Sequence, residues 1–279
     1  MGDELLVSEL SVGGCHGVVA EDTAFPRYFK EVADYCPFAY IKFLRDDVSV
    51  TKRRLVIAID GPAASGKSTT AKLAAEKLGY THIDTGAMYR AVTLKVLRTG
   101  LSPDDSTEVA KMLPGTRVSL TRVAGGLAVL LDGEDVTSAI RTPAVTRAVS
   151  AVSSQKAVRD AMVREQRAMG KDGGIVLEGR DIGTVVFPKA DLKFFMVAGI
   201  RSRAQRRHKE LAERGEKIPL EHLEREIADR DSRDASRAES PLRRAEDAIE
   251  IDTSNLTIEQ QVDMVVRVAR EKIGKESAG

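Results

Sequence analysis

The chain has 279 residues, of which 42 % are hydrophobic and 30 % charged, with 43 Lys and Arg against 42 Asp and Glu. That length and mixture build a real core in one large domain or two small ones. A net charge of +1 gives no global field that would collect nucleic acid or an anionic membrane, although a local cluster can still hold phosphate. Cys15 and Cys36 form neither a disulfide framework nor a zinc pair. No apolar run approaches the ~20 residues of a membrane span. Asp3 and Glu4 stand where a secretory signal carries positive charge, so a reducing cytoplasm is expected.

Composition shifts near residue 52. Residues 1–50 hold Phe25, Phe29, Phe38 and Phe43, together with Tyr28, Tyr35 and Tyr40. This reads as an N-terminal extension of unassigned role over residues 1–52, with a short helix within Pro26–Leu44 broken at Pro37. It is too short for a core of its own. From Arg54 the pattern becomes strand, loop, helix. Leu55–Ile59 is a continuous β-branched and aliphatic run, the signature of a buried parallel strand. Ser68–Leu78 places Ala71, Ala74, Ala75 and Leu78 at helical spacing, and Gly79 ends it. A second strand leads into Asp84, and then comes a helix over roughly Ala87–Leu97. Arg117–Leu120 and Leu127–Leu131 predict two antiparallel strands around Gly125-Gly126. One or two helices are expected in Thr142–Met169. Gly174–Leu177 and Leu192–Val197 are further strands. A charged helical stretch over Arg201–Arg230 is interrupted near Gly215–Pro219. Ala248–Ile251 is a last strand and Ile258–Ile273 a last helix. Strands alternating with helices predict an α/β fold built on a parallel sheet.

Between the first strand and its helix lies Gly61-Pro62-Ala63-Ala64-Ser65-Gly66-Lys67-Ser68, and Thr69 comes next. It matches the phosphate-loop pattern G-x-x-x-x-G-K-[ST] in the strand–loop–helix context that gives the pattern meaning. Gly61 and Gly66 let the backbone curl so that its N–H groups point at phosphate oxygens. The helix N-terminus adds its positive dipole. Lys67 supplies a charge to the β- and γ-phosphates of a nucleoside triphosphate, and Ser68 a hydroxyl to Mg²⁺. Such a loop does not reveal which reaction the bound nucleotide undergoes.

Three later segments narrow the choice. Asp84-Thr85-Gly86-Ala87-Met88-Tyr89-Arg90 comes after the second strand, and Glu178-Gly179-Arg180-Asp181-Ile182-Gly183-Thr184 after the third. Arg230-Asp231-Ser232-Arg233-Asp234-Ala235-Ser236-Arg237 is dense in Arg and Asp. Ligands in parallel sheets bind beyond the carboxyl ends of the strands. Several arginines returning there suit a second, phosphorylated substrate.

The strings IDGPAASGKST, DTGAMYRAVT, GEDVTSAIRTPAV, EGRDIGTVVFPKADLKFFM and the ERE–RDSRDASRAESPL region run in order from about Arg54 to Ile273. In them the chain resembles the bacterial cytidylate kinases, nucleoside monophosphate kinases of the P-loop NTPase fold. The resemblance implies a domain over 53–275, with an acceptor-binding insert near 100–160 and a helical lid near 200–237. It implies that Thr85, Arg90, Arg180 and Arg237 hold the acceptor phosphate, and that Ser150, Arg159 and Asp181 read the cytosine edge. Arg230 and Asp234 would contact the ribose, and Arg203, Arg206 and Arg207 would lie on the lid over the ATP phosphates. Lys67, Arg180 and Arg237 would carry the catalysis. The expected reaction is phosphoryl transfer from MgATP to CMP or dCMP by a monomer that engages neither nucleic acid nor membrane. A kinase of another acceptor such as UMP, or an ATP-binding regulator without turnover, remains the alternative. Glu178 stands where the family often has Asp, and either Asp84 or Glu178 could orient water on Mg²⁺.

Overall fold

The computed structural model describes residues 8–12, 15–19, 54–123, 126–213 and 215–276. The chain divides into two units, Met1–Thr51 and Lys52–Gly279. In the first, Ser8–Val12 (β1) and Cys15–Val19 (β2) pair antiparallel. The helix expected within Pro26–Leu44 lies outside the described residues.

The second unit begins with Val56–Asp60 (β3), whose last four residues are buried. A strand with so little polar surface belongs in the middle of a sheet covered on both faces, and β3 takes that place. After it come Lys67–Leu78 (α1), Thr81–Asp84 (β4) and Thr85–Arg98 (α2). Gly79 closes α1 in the left-handed region at φ 67°, as its position after the last apolar residue predicts. The chain continues through Ser106–Met112 (α3), Val118–Val123 (β5), Gly126–Leu131 (β6), Glu134–Asp135 (β7), Pro143–Ser154 (α4) and Lys156–Met169 (α5). It returns through Ile175–Gly179 (β8), a π-helical turn at Ile182–Val186, Leu192–Val197 (β9), Ile200–Ala212 (α6) and Leu220–Ala235 (α7). It finishes with Ile249–Asp252 (β10) and Ile258–Glu276 (α8).

Five strands form one sheet in the order β10-β9-β3-β8-β4, with every neighbouring pair parallel. On one face Ile57, Ile59, Phe194 and Met196 pack against Ala71 and Ala74 of α1 and Val262, Val265 and Val266 of α8. On the other, Ala58, Ile83 and Leu177 pack with Ile182 and Val186 of the π turn. The stretch between α2 and β8 has a core of its own, in which Val118, Val129 and Leu131 of the three-stranded sheet β5-β6-β7 meet Met88, Val92, Val145, Val149 and Met162. Helices α4 and α5 in it are separated at Gln155, whose backbone is extended. The pair α6 and α7 packs through Ala204, Leu211, Leu223 and Ile227.

The parallel order brings the carboxyl ends of β3, β4, β8 and β9 together. The loops and turns that leave those ends therefore meet in one place. Among the described residues, no helix is long and apolar enough to cross a membrane.

Candidate active site

The loop after β3 is shaped by two close approaches. Gly61 sits at φ 152°, and a Cβ there would lie 2.2 Å from the Met196 carbonyl oxygen at the end of β9. Gly66 sits at φ 91°, where a Cβ would lie 2.8 Å from Oε1 of Gln261. Any side chain at Gly61 would have to displace sheet backbone, so the first glycine of the motif is fixed by packing as well as by φ. Ala64 is held at φ 57°, a strained conformation for a residue with a Cβ. The next helix, α1, starts at Lys67 with no side chain capping it, so its first-turn N–H groups are left for an anion.

Lys67 is buried and donates from Nζ to the Pro62 carbonyl at 3.0 Å. Burial, and next the positive charge of Arg180, push its pKa down to about 7. A lysine in that condition lacks negative charge. A bound triphosphate would supply it and return the pKa toward its ordinary value of 10.5. Above about pH 7 part of the free protein carries neutral Lys67, so nucleotide binding takes up a proton and affinity falls as pH rises. Titration calorimetry of ATP in buffers of different ionisation enthalpy should show net uptake at mildly alkaline pH. Lys67→Met should lose that uptake; equal uptake in both proteins would show that the proton goes elsewhere.

β4 and β8 pair so that Asp84 faces Glu178. Ser68 donates from Oγ to Glu178 Oε2 at 2.5 Å, and Oε1 of the same carboxylate lies 3.2 Å from His82 Nε2. The Glu178 carbonyl accepts the Thr85 hydroxyl at 2.7 Å. Asp84 caps α2 by accepting from the Ala87 N–H at 3.0 Å and lies 3.7 Å from Arg141. Burial opposes charge on Glu178, but His82, Lys67 and Ser68 outweigh it and hold the carboxyl below its usual range. Burial and the nearby Glu178 charge push Asp84 the other way. Of the pair, Glu178 holds its charge the more readily. One hydroxyl and two carboxylates form a hard-oxygen donor set. It fits Mg²⁺, a cation that takes one or two protein carboxylates and leaves its other positions to water and phosphate.

A group of guanidinium ions lines the same cleft as the phosphate loop. Arg180 donates from Nε to Asp234 Oδ2 at 2.8 Å, and Arg237 donates to Asp234 Oδ1. Arg230 is half-buried, with its Nε enclosed and unpartnered, and desolvation together with Arg180 pushes its pKa down to about 10. Arg90 donates to the Thr146 hydroxyl at 2.9 Å. Arg159 forms a buried ion pair with Asp181, donates to the Ser153 carbonyl at 3.1 Å and lies 5.3 Å from the Tyr89 ring centroid. Positive charge exceeds negative charge here, and an anion would correct the balance.

Both groups face one cleft of about 850 Å³. Its walls include Ala63, Ala64, Gly66, Lys67, Ser68 and Thr69 of the loop, together with Thr85, Arg90, Ser150, Arg159, Arg180, Asp181, Arg230, Asp234 and Arg237. Arg206 and Arg207 of α6 also line it, Arg206 donating to Thr253 and Arg207 pairing with Glu210 at 3.2 Å. Gly61, Pro62 and Ser65 lie outside that lining. Arg203 lies elsewhere: it is buried beneath α6, pairs with Asp231 of α7 at 2.6 Å and donates to the Ala63 carbonyl at 3.3 Å. It braces α6 against α7 and the phosphate loop.

Sequence reasoning passed over Asp60, His82, Arg141 and Tyr89. Asp60 ends β3 and accepts the Ile182 and Gly183 N–H groups at 2.8 and 2.7 Å, which fixes the chain after β8 beside the phosphate loop. Burial raises its pKa to about 6. Its one sequence signal is an acid ending an apolar strand.

A parallel sheet that sets a phosphate loop and a bank of arginines in one cleft defines a kinase. The chain belongs to the cytidylate kinase family, whose model matches residues 57–271. It is 50 % identical over 234 residues to a cytidylate kinase of Chlorobaculum tepidum, covering 82 % of this chain and 98 % of that one. It is 47 % identical over 221 residues to a cytidylate kinase of Geobacter sulfurreducens, covering 79 % and 95 %. With a cytidylate kinase of Geobacillus kaustophilus the identity is 49 % over 223 residues, covering 80 % and 100 %.

Proposed function

We propose that the protein transfers a phosphoryl group from MgATP to CMP or dCMP, giving ADP and CDP or dCDP, as a monomer in cytoplasmic pyrimidine nucleotide metabolism. The observation that carries this reading is the one cleft lined both by Lys67 at the uncapped start of α1 and by the Arg159–Asp181 pair among surplus guanidinium groups. The phosphate loop receives ATP. Ser68, with Glu178 and Asp84, would hold Mg²⁺ and its water; that ion offsets phosphate charge when bound. Thr85, Arg90, Arg180 and Arg237 hold the acceptor phosphate in line, and Arg230 and Asp234 meet the ribose.

The acceptor oxygen is already anionic near neutral pH, so no strong general base is needed. Catalysis is positioning and charge stabilisation. Lys67, with Arg206 and Arg207 from α6, offsets charge on the transferred group. Closure of α6 and α7 excludes water that would otherwise hydrolyse ATP. Asp181 accepts the cytosine N4 amino group, with Ser150 and Arg159 beside it. Uracil presents an oxygen at that position and would meet the carboxylate with repulsion.

A coupled ADP-release assay across CMP, dCMP, UMP, AMP, GMP and shikimate tests the reading. Turnover should be fastest with CMP and dCMP. Preference for AMP or shikimate, or ATP binding without turnover on any acceptor, would overturn it.

A further inference from the structure

His82 is not among the residues that line the nucleotide cleft. It is on β4, the edge strand of the sheet, two residues before Asp84. Its Nε2 lies 3.2 Å from Glu178 Oε1, while Glu178 Oε2 takes the Ser68 hydroxyl. Ser68 donates to one carboxylate oxygen and the His82 ring nitrogen meets the other; an ionised carboxylate only accepts, so that second contact requires the Nε2–H tautomer. Glu178 is 3 % exposed and therefore cannot exchange either donor freely for water.

His82 also lines a second crevice, of about 470 Å³, between α1, β4 and the β5–β6 hairpin. This crevice is lined by Lys72, Tyr80, Arg122 and Leu127 among others, and Asp84 and Arg141 stand on the walls of both cavities. The chain Ser68–Glu178–His82 thus runs from the phosphate loop through the sheet edge to a separate opening. The second opening has the volume of a small-molecule site and gives solvent access to the imidazole without crossing the nucleotide cleft.

We infer that His82 is a positioning residue for phosphoryl transfer: its Nε2–H fixes the Glu178 carboxylate so that Oε2 stays on Ser68 Oγ, and the second crevice is the route by which that imidazole meets solvent. The inference rests on the kinase reading. It assigns His82 no contact with substrate. A carboxylate gripped at both oxygens has one rotamer, and Ser68 then keeps one orientation toward the metal and the phosphates. Released at Oε1, Glu178 can turn toward Lys67 or Asp84, and Ser68 loses its fixed acceptor.

The test uses the full chain with His82→Ala and His82→Gln. In His82→Ala, kcat with CMP should fall about tenfold and half-saturating Mg²⁺ should rise about tenfold, the scale for residues that orient metal ligands. KM for CMP should stay unchanged. His82→Gln, which restores an N–H donor, should recover most of the loss. Free imidazole should restore His82→Ala by entering the crevice. In the ligand-free wild type, ¹⁵N spectroscopy should show His82 in the Nε2–H tautomer, and Glu178→Ala should abolish that preference. Wild-type kcat and Mg²⁺ dependence in His82→Ala would overturn the inference while leaving the kinase reading intact. So would a loss that neither Gln nor imidazole repairs, or an Nδ1–H tautomer. Absence of turnover on CMP in the wild type would instead sink the kinase reading, while the tautomer measurement still decides the His82–Glu178 contact.

Discussion

Lys67→Met is expected to cut kcat for phosphoryl transfer by roughly 10²–10³ while leaving the free protein at least as stable as the wild type. The two halves of that outcome have one cause. Lys67 is buried, and its Nζ rests on the Pro62 carbonyl. Burial and the positive charge of Arg180 depress its pKa to about 7 from 10.5. A folded-state pKa below the unfolded value means that the unfolded chain binds the proton more tightly. The destabilisation is fully present below about pH 7, is relieved as pH rises through the window between the two values, and vanishes above the upper one. Methionine removes the charge, keeps much of the length and suits a buried site. Thermal unfolding should therefore show the variant gaining most over wild type at neutral and lower pH, with the difference shrinking as pH rises. Activity should move oppositely, because in the proposed mechanism the charge that is unwelcome in the empty loop stabilises the transferred phosphoryl group. A variant that lost both stability and turnover would show that Lys67 holds the loop together, and one that kept turnover would remove it from the chemistry.

Legibility from sequence tracked the range of the forces involved. The phosphate loop was readable because it is local: eight consecutive residues carry the glycine positions, the lysine and the hydroxyl, and a β-branched run before them fixes the context. The parallel strands were readable for a similar reason, since Leu55–Ile59 and Leu192–Val197 have too little polar surface to lie anywhere but in a covered sheet. The helix α3 was missed: Ser106–Met112 is short, and its start rests on Asp105 accepting the Thr107 and Glu108 N–H groups. The π turn at Ile182–Val186 was missed as well, because its hold is the Asp60 carboxylate, more than a hundred residues away in sequence. Arg203 marks the limit most clearly. In sequence it is one of several arginines at the start of a charged helix. Burial and the Asp231 carboxylate separate it from Arg206 and Arg207, and neither can be read from spacing. The His82–Glu178 contact is of the same kind, a pairing across two strands with no local motif.

Asp181→Asn should collapse the discrimination between CMP and UMP. Asp181 and Arg159 are both almost fully buried and joined as an ion pair, with Tyr89 beneath the guanidinium and the Ser153 carbonyl beside it. A carboxylate held in that way cannot turn aside to suit a different base. It offers acceptor character only, which matches the amino group of cytosine and opposes the carbonyl oxygen of uracil. Asparagine keeps the shape and one acceptor oxygen for Arg159, and turns the other position into a donor. The kcat/KM for CMP should fall by about ten- to a hundredfold, the equivalent of a lost hydrogen bond to a charged group. The value for UMP should hold or rise, since its oxygen now meets an N–H. Stability should fall too, by about 1–3 kcal/mol, because Arg159 stays buried with a neutral partner in place of a charged one. Asp181→Ala, which leaves the guanidinium with no partner at all, should cost more, about 3–5 kcal/mol. The two readouts separate the roles of the residue. Loss of stability with an unchanged CMP-to-UMP ratio would make Asp181 a structural counter-ion for Arg159 and move base recognition elsewhere in the cleft. A collapsed ratio in a protein that still unfolds cooperatively would place the reading of cytosine on this carboxylate.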